Sequence, residues 1–589
     1  MTVTTANLIA VFKAGDLVRL YNRITKQDYI HTTVVQPALL DMAMLNPPRA
    51  RYITQAGWHK GNAQGRNEEA AQIQFNDLTR AIWMNVMVDE TTQDIIVQIW
   101  GEAIREGVTG LHWGLRGIDL TAGKFILPAR GGISVDVKSA PEKLQLHYPG
   151  EWEAQMAIWQ GAGGGFVIYS RDERVRCKQF VLTRKGSYAD LALVTEAQAP
   201  FEKAGGVPQL EWRLNTYKGD WRTPAQGYRR LMQFYRPLAP ATKDREWVKS
   251  IRAGVVVEAA AMNKSTLDKL AEKCDPAKTI LYLPDWRKLP GETGFPDLQA
   301  RDGVAEFTEA AHQQGFRIAA RADLLSISTS SDTYNRLKAY QTRDSVTGKL
   351  TGNKWQAEMD PERYAILNPA ARDVQNWVSR LAEQVVRDLH ADMIYIPHSG
   401  DLVNDGSNLV ENKTFAEGMV TLHRRLMTDY PGVVIANDMT NEMLSPYSFF
   451  GVRSPGSMPQ HRISSYLFGD HVLPILFDSA TVPKSVPGSA TPWEAQGIYP
   501  TVHLRTTGDL DSSDSEANKM LALVRIWQNK DLRPDYGPSD EFTIFQWFGK
   551  DNTLVDVREK AGVITMMIGE TIIYSRTIPS KAVATQGLR

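Results

Sequence analysis

Near Trp247 the hydrophobic texture of the chain changes, and the change limits the folds open to it more than any other feature. Before that point apolar residues come in short alternating runs, Leu8–Phe12, Leu17–Tyr21, Ile95–Trp100 and Phe166–Tyr169, broken by Gly, Asn and Asp turns. A period of two marks strands with one buried face, and it predicts antiparallel sheets packed as an N-terminal β-sandwich over residues 1–245. Beyond Trp247 the apolar runs are continuous: Ile251–Val257, Thr279–Leu283, Arg317–Leu325, Met393–Ile396 and Val433–Ala436. Helical stretches separate them, Ser265–Lys273 opening on a Ser cap, Val304–Gln314, a longer one from Asn368-Pro369 to Leu389, and Thr414–Tyr430. Strands buried on both faces and alternating with helices belong to a parallel sheet. With weaker strand candidates at Leu473–Phe477 and Ile498–Leu504, the pattern predicts a central (β/α)8 TIM-type barrel over residues 246–536, less regular in its last third. Alternation then returns in Phe542–Phe548, Thr553–Val557, Val563–Ile568 and Thr571–Tyr574, which predicts a small C-terminal β-domain over residues 537–589.

Bulk properties narrow the function classes. At 589 residues the chain is too long for one ordinary core. Lys+Arg and Asp+Glu balance at 67 each with no basic block, so nothing points to nucleic acid or an anionic membrane surface as partner. No run approaches the roughly 18 apolar residues that span a bilayer, and the first residues lack the charged and apolar regions of a signal peptide. The expectation is a cytoplasmic protein, or one exported by a route the sequence does not reveal. Cys177 and Cys274 are too few and too far apart for a disulfide framework and read as buried thiols. The glycine cluster Gly161–Gly165 lacks both the Lys-Ser/Thr of a phosphate loop and ordered GxGxxG spacing, and reads as a hairpin turn. The 11 histidines include no pair at metal-ligand spacing, so neither a metal nor a cofactor is expected.

In a (β/α)8 barrel the active site is built from loops after the strands, so residues ending a strand are the first candidates. By that rule the candidates are Asp285 and Trp286 after the second strand, Arg321 and Asp323 at the end of the third, His398 and Asp401 after the fourth, and Asp438 and Glu442 after the fifth. An acid beside an aromatic ring suits a sugar, although it also suits a turn. Arg321 and Asp323 could instead pair inside the barrel, and Asp438 could cap a following helix with Glu442 a first-turn acid. His398, Ser399 and Asp401 are crowded in sequence, which does not make a nucleophilic triad.

Three stretches carry a family resemblance: His147-Tyr148-Pro149 leading to Gln155-Met156; Gly163 to Asp172; and Tyr217 to Arg230, with Gly219-Asp220-Trp221-Arg222 followed by Ala225, Tyr228 and Arg229. In content and order they resemble the large bacterial glycoside hydrolases that include α-galactosidases and endo-α-N-acetylgalactosaminidases. That resemblance implies a sandwich, a barrel and a small β-domain, and an Asp nucleophile at the end of barrel strand four in a motif like Gly-x-Asp-Gly-Ile-Tyr-x-Asp. Here Ala391-Asp392-Met393-Ile394-Tyr395-Ile396 follows the motif until its last position, where Pro397 stands. Where the family's next strand ends in carboxylates, this chain has Asn437-Asp438 and Glu442. Glycoside hydrolysis uses two carboxylates, about 5–5.5 Å apart for retention and about 6.5–9.5 Å apart for inversion. The resemblance therefore implies a carbohydrate partner and a glycoside hydrolase with an altered carboxylate pair: Asp438 or Glu442 as acid, Asp401 or another mouth carboxylate as partner, and Asp285, Trp286, Arg321, Asp323 and His398 in contact with sugar. The alternative is a non-catalytic carbohydrate-binding or structural protein on the same scaffold.

Overall fold

The structure, a computed structural model, describes residues 1–31, 39–46, 54–61, 70–76, 79–237, 243–288, 296, 298–352, 363–397, 399–400, 402–438, 441–453, 461–469, 472–476, 497–535, 544–560 and 563–577. The chain divides into two compact units, one of Met1–Pro237 with Thr342–Leu350 and Asp401–Glu417, the other of Leu238–Gln341, Thr351–Gly400 and Gly418–Arg589.

The first unit holds two nine-stranded sheets. Their pairings are antiparallel apart from a single parallel bridge between Leu115 and Leu17. Rings from the two sheets meet in the core: Tyr29 lies 4.7 Å from Trp159, and Phe125 packs edge-on against Phe180 at 5.6 Å. The alternating runs are strands, as their period predicts, and the glycine cluster is the turn of a hairpin between Met156–Gly161 and Gly164–Ser170. Gly165 is required there, because a Cβ would lie 1.9 Å from the Trp159 carbonyl oxygen. The excursion at 401–417 belongs to this unit through Asn404, whose amide donates to Glu196 and to the Ala197 carbonyl, each at 2.9 Å.

In the second unit eight strands run parallel: β1 (Ala253–Val257), β2 (Thr279–Leu283), β3 (Arg317–Arg321), β4 (Met393–Ile396), β5 (Val434–Asp438), β6 (Phe450–Arg453), β7 (Leu473–Leu476) and β8 (Thr501–Leu504). β1 to β7 pair in sequence order, and β8 pairs with β1. A parallel bridge between Ile475 and Tyr499 joins β7 to the residues leading into β8 and leaves the ring nearly closed. Alternate residues fill the lumen, among them Val256, Ile280, Tyr282, Ala319, Met393, Val434, Ala436, Phe450 and Ile475, and Val248 and Ile251 join this core from the chain entering β1. The intervening residues, such as Val255, Leu281, Ile318, Ile394 and Ile435, are buried on the outer face. Both faces are thus apolar, which is why these strands read as continuous runs.

Helices α1 (Lys264–Lys273), α2 (Val304–Gln313), α3 (Arg372–Leu389), α4 (Phe415–Asp429), α5 (Ile463–Phe468) and α6 (Glu516–Lys530) fall between and after the strands. The cap of α1 is Asn263 rather than Ser265: its side chain accepts from the Thr266 amide at 3.1 Å. The third strand stops at Arg321, four residues before the end its apolar run suggests, because Ser326–Ser328 turns away to pair with Tyr364–Ile366. The C-terminal alternation forms a five-stranded antiparallel sheet. It shares a core with α6, where Trp527 meets Trp547 at 5.1 Å between ring centroids. Cys274 is buried and Cys177 is partly exposed, and both are free. Among the described residues no helix is long and apolar enough to cross a membrane.

Candidate active site

All eight strands point the same way, so their C-terminal ends form one rim. Asp285 and Trp286 follow β2, Arg321 ends β3 with Asp323 two residues on, Asp438 is the last residue of β5, and Glu442 lies four residues further. Pro397 is the residue immediately after β4. His398 and Asp401 lie outside the described residues.

Strand alternation decides which side chains enter the lumen. On β5, Val434 and Ala436 belong to the lumen core, and Asp438 continues that face. On β3, Ala319 faces inward and Arg321 follows it; on β4, Met393 and Tyr395 face inward. The top of the lumen therefore changes from apolar to polar, with Tyr282, Arg321, Tyr395 and Asp438 as its upper lining. Tyr282 and Tyr395 meet edge-on at 5.9 Å. Arg321 pairs with Asp323 at 3.5 Å. Burial alone would lower the Arg321 pKa, but Asp323 and the phenols of Tyr282 and Tyr395 more than offset it and hold the guanidinium charged. Burial pushes the Tyr395 phenol well above its ordinary value, and Asp438 pushes it the same way. Tyr395 is thus a neutral hydroxyl at working pH.

Trp286 is fully buried, and its indole N–H donates to the Arg321 carbonyl at 2.8 Å. Its ring braces the end of β3 and has no face open to a sugar. Glu442 is 2% exposed, inside a turn organised by Asn441, whose side-chain oxygen accepts from the Met443 and Leu444 amides at 3.1 Å. Asp438 is the more accessible of the two acids, and it stands in the strand itself rather than capping a helix.

Sequence reasoning passed over two groups on this rim. Glu258 directly follows β1, and the Nε2 of His503, on β8, lies 2.7 Å from its carboxylate. Glu258 satisfies the same strand-end rule that selected Asp285, so the signal was present. His503 was hidden in the weaker candidate strand, whose register only the pairing with β1 reveals.

No protein-family profile matches the sequence, and no curated protein matches it either. Solved structures do match it in fold. The ligand-free α-N-acetylgalactosaminidase NagBb from Bifidobacterium bifidum superposes with a TM-score of 0.68 at 12% identity, over 95% of this chain and 98% of that one. The same enzyme in its GalNAc complex gives 0.69 at 13% identity, over 96% and 99%. A substituted α-galactosidase AgaA from Geobacillus stearothermophilus, in complex with raffinose, gives 0.50 at 10% identity, over 95% and 91%. The chain shares the fold of these glycosidases over about 95% of its length, and the resemblance read from its sequence holds at the level of fold.

Proposed function

We propose that this protein is a glycoside hydrolase acting on α-linked sugars at the C-terminal mouth of its barrel, with Asp438 as the general acid. The observation that carries the reading is the position of Asp438, on the lumen face at the end of β5, beside the neutral phenol of Tyr395. A lumen of apolar side chains topped by an acid, the partly buried Tyr395 ring and an Arg–Asp pair suits a ring-shaped polyol. In this reading Arg321, Asp323 and Asp285 bind sugar hydroxyls with His398. Trp286 holds Arg321 in place, Glu442 is the alternative acid, and Asp401 is among the carboxylates that could partner Asp438. Residues 1–245, 246–536 and 537–589 are its sandwich, barrel and C-terminal domains. The fold neighbours point to terminal α-linked N-acetylgalactosamine or galactose as first substrates, an argument from analogy of fold.

The test is turnover on a panel of α- and β-linked aryl glycosides by the wild type, Asp438→Asn, Glu442→Gln and Asp401→Asn. Asp438→Asn is expected to lose a factor of about 10²–10⁴ in rate. Activity untouched by all three substitutions would reject the assignment. A second reading, carbohydrate binding without cleavage, is favoured by Pro397, which offers neither charge nor proton at the end of β4. Sugar binding without wild-type turnover, together with hydrolysis gained by Pro397→Asp, would establish it instead.

A further inference from the structure

We propose that Glu258 is the second carboxylate of this site, acting as general base opposite Asp438, and that hydrolysis therefore proceeds in one displacement with inversion at the anomeric carbon. The proposal rests on the reading of Asp438 given above.

Glu258 is extended at φ −73° and ψ 161°, and its amide donates to the Leu504 carbonyl at 2.9 Å, so the β1 ladder continues through it. Val256 is a lumen residue, and alternation puts Glu258 on the same face one step nearer the mouth. Val256 is also the registered partner of His503, and paired residues of parallel strands face the same side, so the imidazole shares the lumen face. The side chains of His503 and Glu258 are 24% and 33% exposed, which places the pair within reach of solvent. An ion pair on an open surface contributes little, about 0–1 kcal/mol. This one occupies lumen positions at the rim, where a barrel's catalytic side chains are found.

The ring sets which sides of the mouth the two acids occupy. From β1 to β5 the path is four strands in either direction, so the two acids stand on opposite sides of the lumen. A carboxylate on β4 would neighbour β5, and Pro397 supplies none. A pair placed across the mouth is the arrangement an inverting enzyme needs, whose wider separation of about 6.5–9.5 Å leaves room for a water under the sugar.

In the step itself, Glu258 accepts a proton from water as the water oxygen bonds to the anomeric carbon. The glycosidic C–O bond breaks with its electron pair on the leaving oxygen, which takes the proton of the Asp438 carboxylic acid. Glu258 ends protonated and Asp438 ionised, and exchange with solvent restores both. His503 is a positioning residue: with its Nε2–H donated to Oε1, the other carboxylate oxygen is left for the water.

The test follows the anomeric protons by NMR during the first turnovers of wild-type protein on the best α-glycoside of the panel. Glu258→Gln, His503→Gln and His503→Phe are measured beside it. The β-anomer is expected first. Glu258→Gln is expected to lose a factor of about 10²–10⁴ in kcat with KM little changed, and to lose the acidic limb of the pH profile. His503→Gln, which keeps an N–H donor, is expected to retain more activity than His503→Phe. Appearance of the α-anomer first, a result that needs no variant to fold, overturns the inference. So does undiminished kcat in Glu258→Gln while Asp438→Asn is inactive, and in both cases the hydrolase reading survives. Absence of wild-type turnover on every glycoside overturns both.

Discussion

Asn437 and Asp438 divide the end of β5 between its two faces. Asp438 enters the lumen, whereas Asn437 turns outward into a buried network: its side-chain oxygen accepts from Ser399 at 2.6 Å and lies 3.0 Å from the Nε2 of His423. The Ser399 hydroxyl oxygen also lies 2.7 Å from the Ile396 carbonyl, and the Nδ1 of His423 lies 2.9 Å from the Met419 carbonyl. The network ties the turn after β4 to β5, and so steadies the strand end that presents Asp438. Burial lowers the His423 pKa. A folded value below the unfolded one of about 6.5 means that the stability it contributes is present above that pH and is lost as pH falls through the folded value. Asn437→Leu is expected to destabilise by about 1–3 kcal/mol, because it leaves buried partners unmet. His423→Gln should lose less stability than wild type when urea midpoints are compared above and below about pH 6.5. Equal losses in the two proteins would contradict this account of His423. At this scale the sequence offered the strand-end acids, because position after an apolar run is a local property. It did not offer the partners of Asn437, since Ser399, His423 and Asn437 meet only when two strands and a helix pack.

The elements most easily read were those with the longest uninterrupted period. β1 and β2 are five-residue apolar runs, and α3 spans 18 residues with buried positions such as Val374, Val378, Ala382, Val385 and Leu389 at helical spacing. β6 was not foreseen, and the reason is physical. It is four residues long, contains a glycine, and follows β5 through a short 3-10 turn at Ser445–Tyr447 instead of a helix, so the strand-helix alternation lapses there. Its place in the sheet comes from pairing on both sides, with β5 and β7. Phe450 anchors it, fully buried among the lumen residues and stacked near Trp247 at 6.2 Å. Phe450→Ala is expected to cost about 3–5 kcal/mol by denaturant unfolding of the whole chain. A loss below about 1 kcal/mol would mean that β6 is not needed to close the ring.

For the whole molecule, the switch of hydrophobic period near Trp247 was sufficient to foresee antiparallel sheets followed by a parallel ring, because burial on one face or two is written into each strand. The division of chain between units was less legible. Thr342–Leu350 and Asp401–Glu417 interrupt the barrel span yet belong to the first unit. Their allegiance depends on contacts such as the Arg343 amide with Asp405 at 2.7 Å and Asn404 with Glu196, which no local pattern announces. On the proposed reading, the acids that matter at the mouth are Asp438 and Glu258, the latter beside His503, with none at Pro397. The most direct test is a crystal structure of the protein with the sugar released from its best substrate. The sugar is predicted to lie in the lumen mouth with its anomeric oxygen within hydrogen-bond distance of Asp438 or Glu258, against the Tyr395 side. A sugar bound elsewhere while the mouth stays empty at saturating concentration would contradict the account.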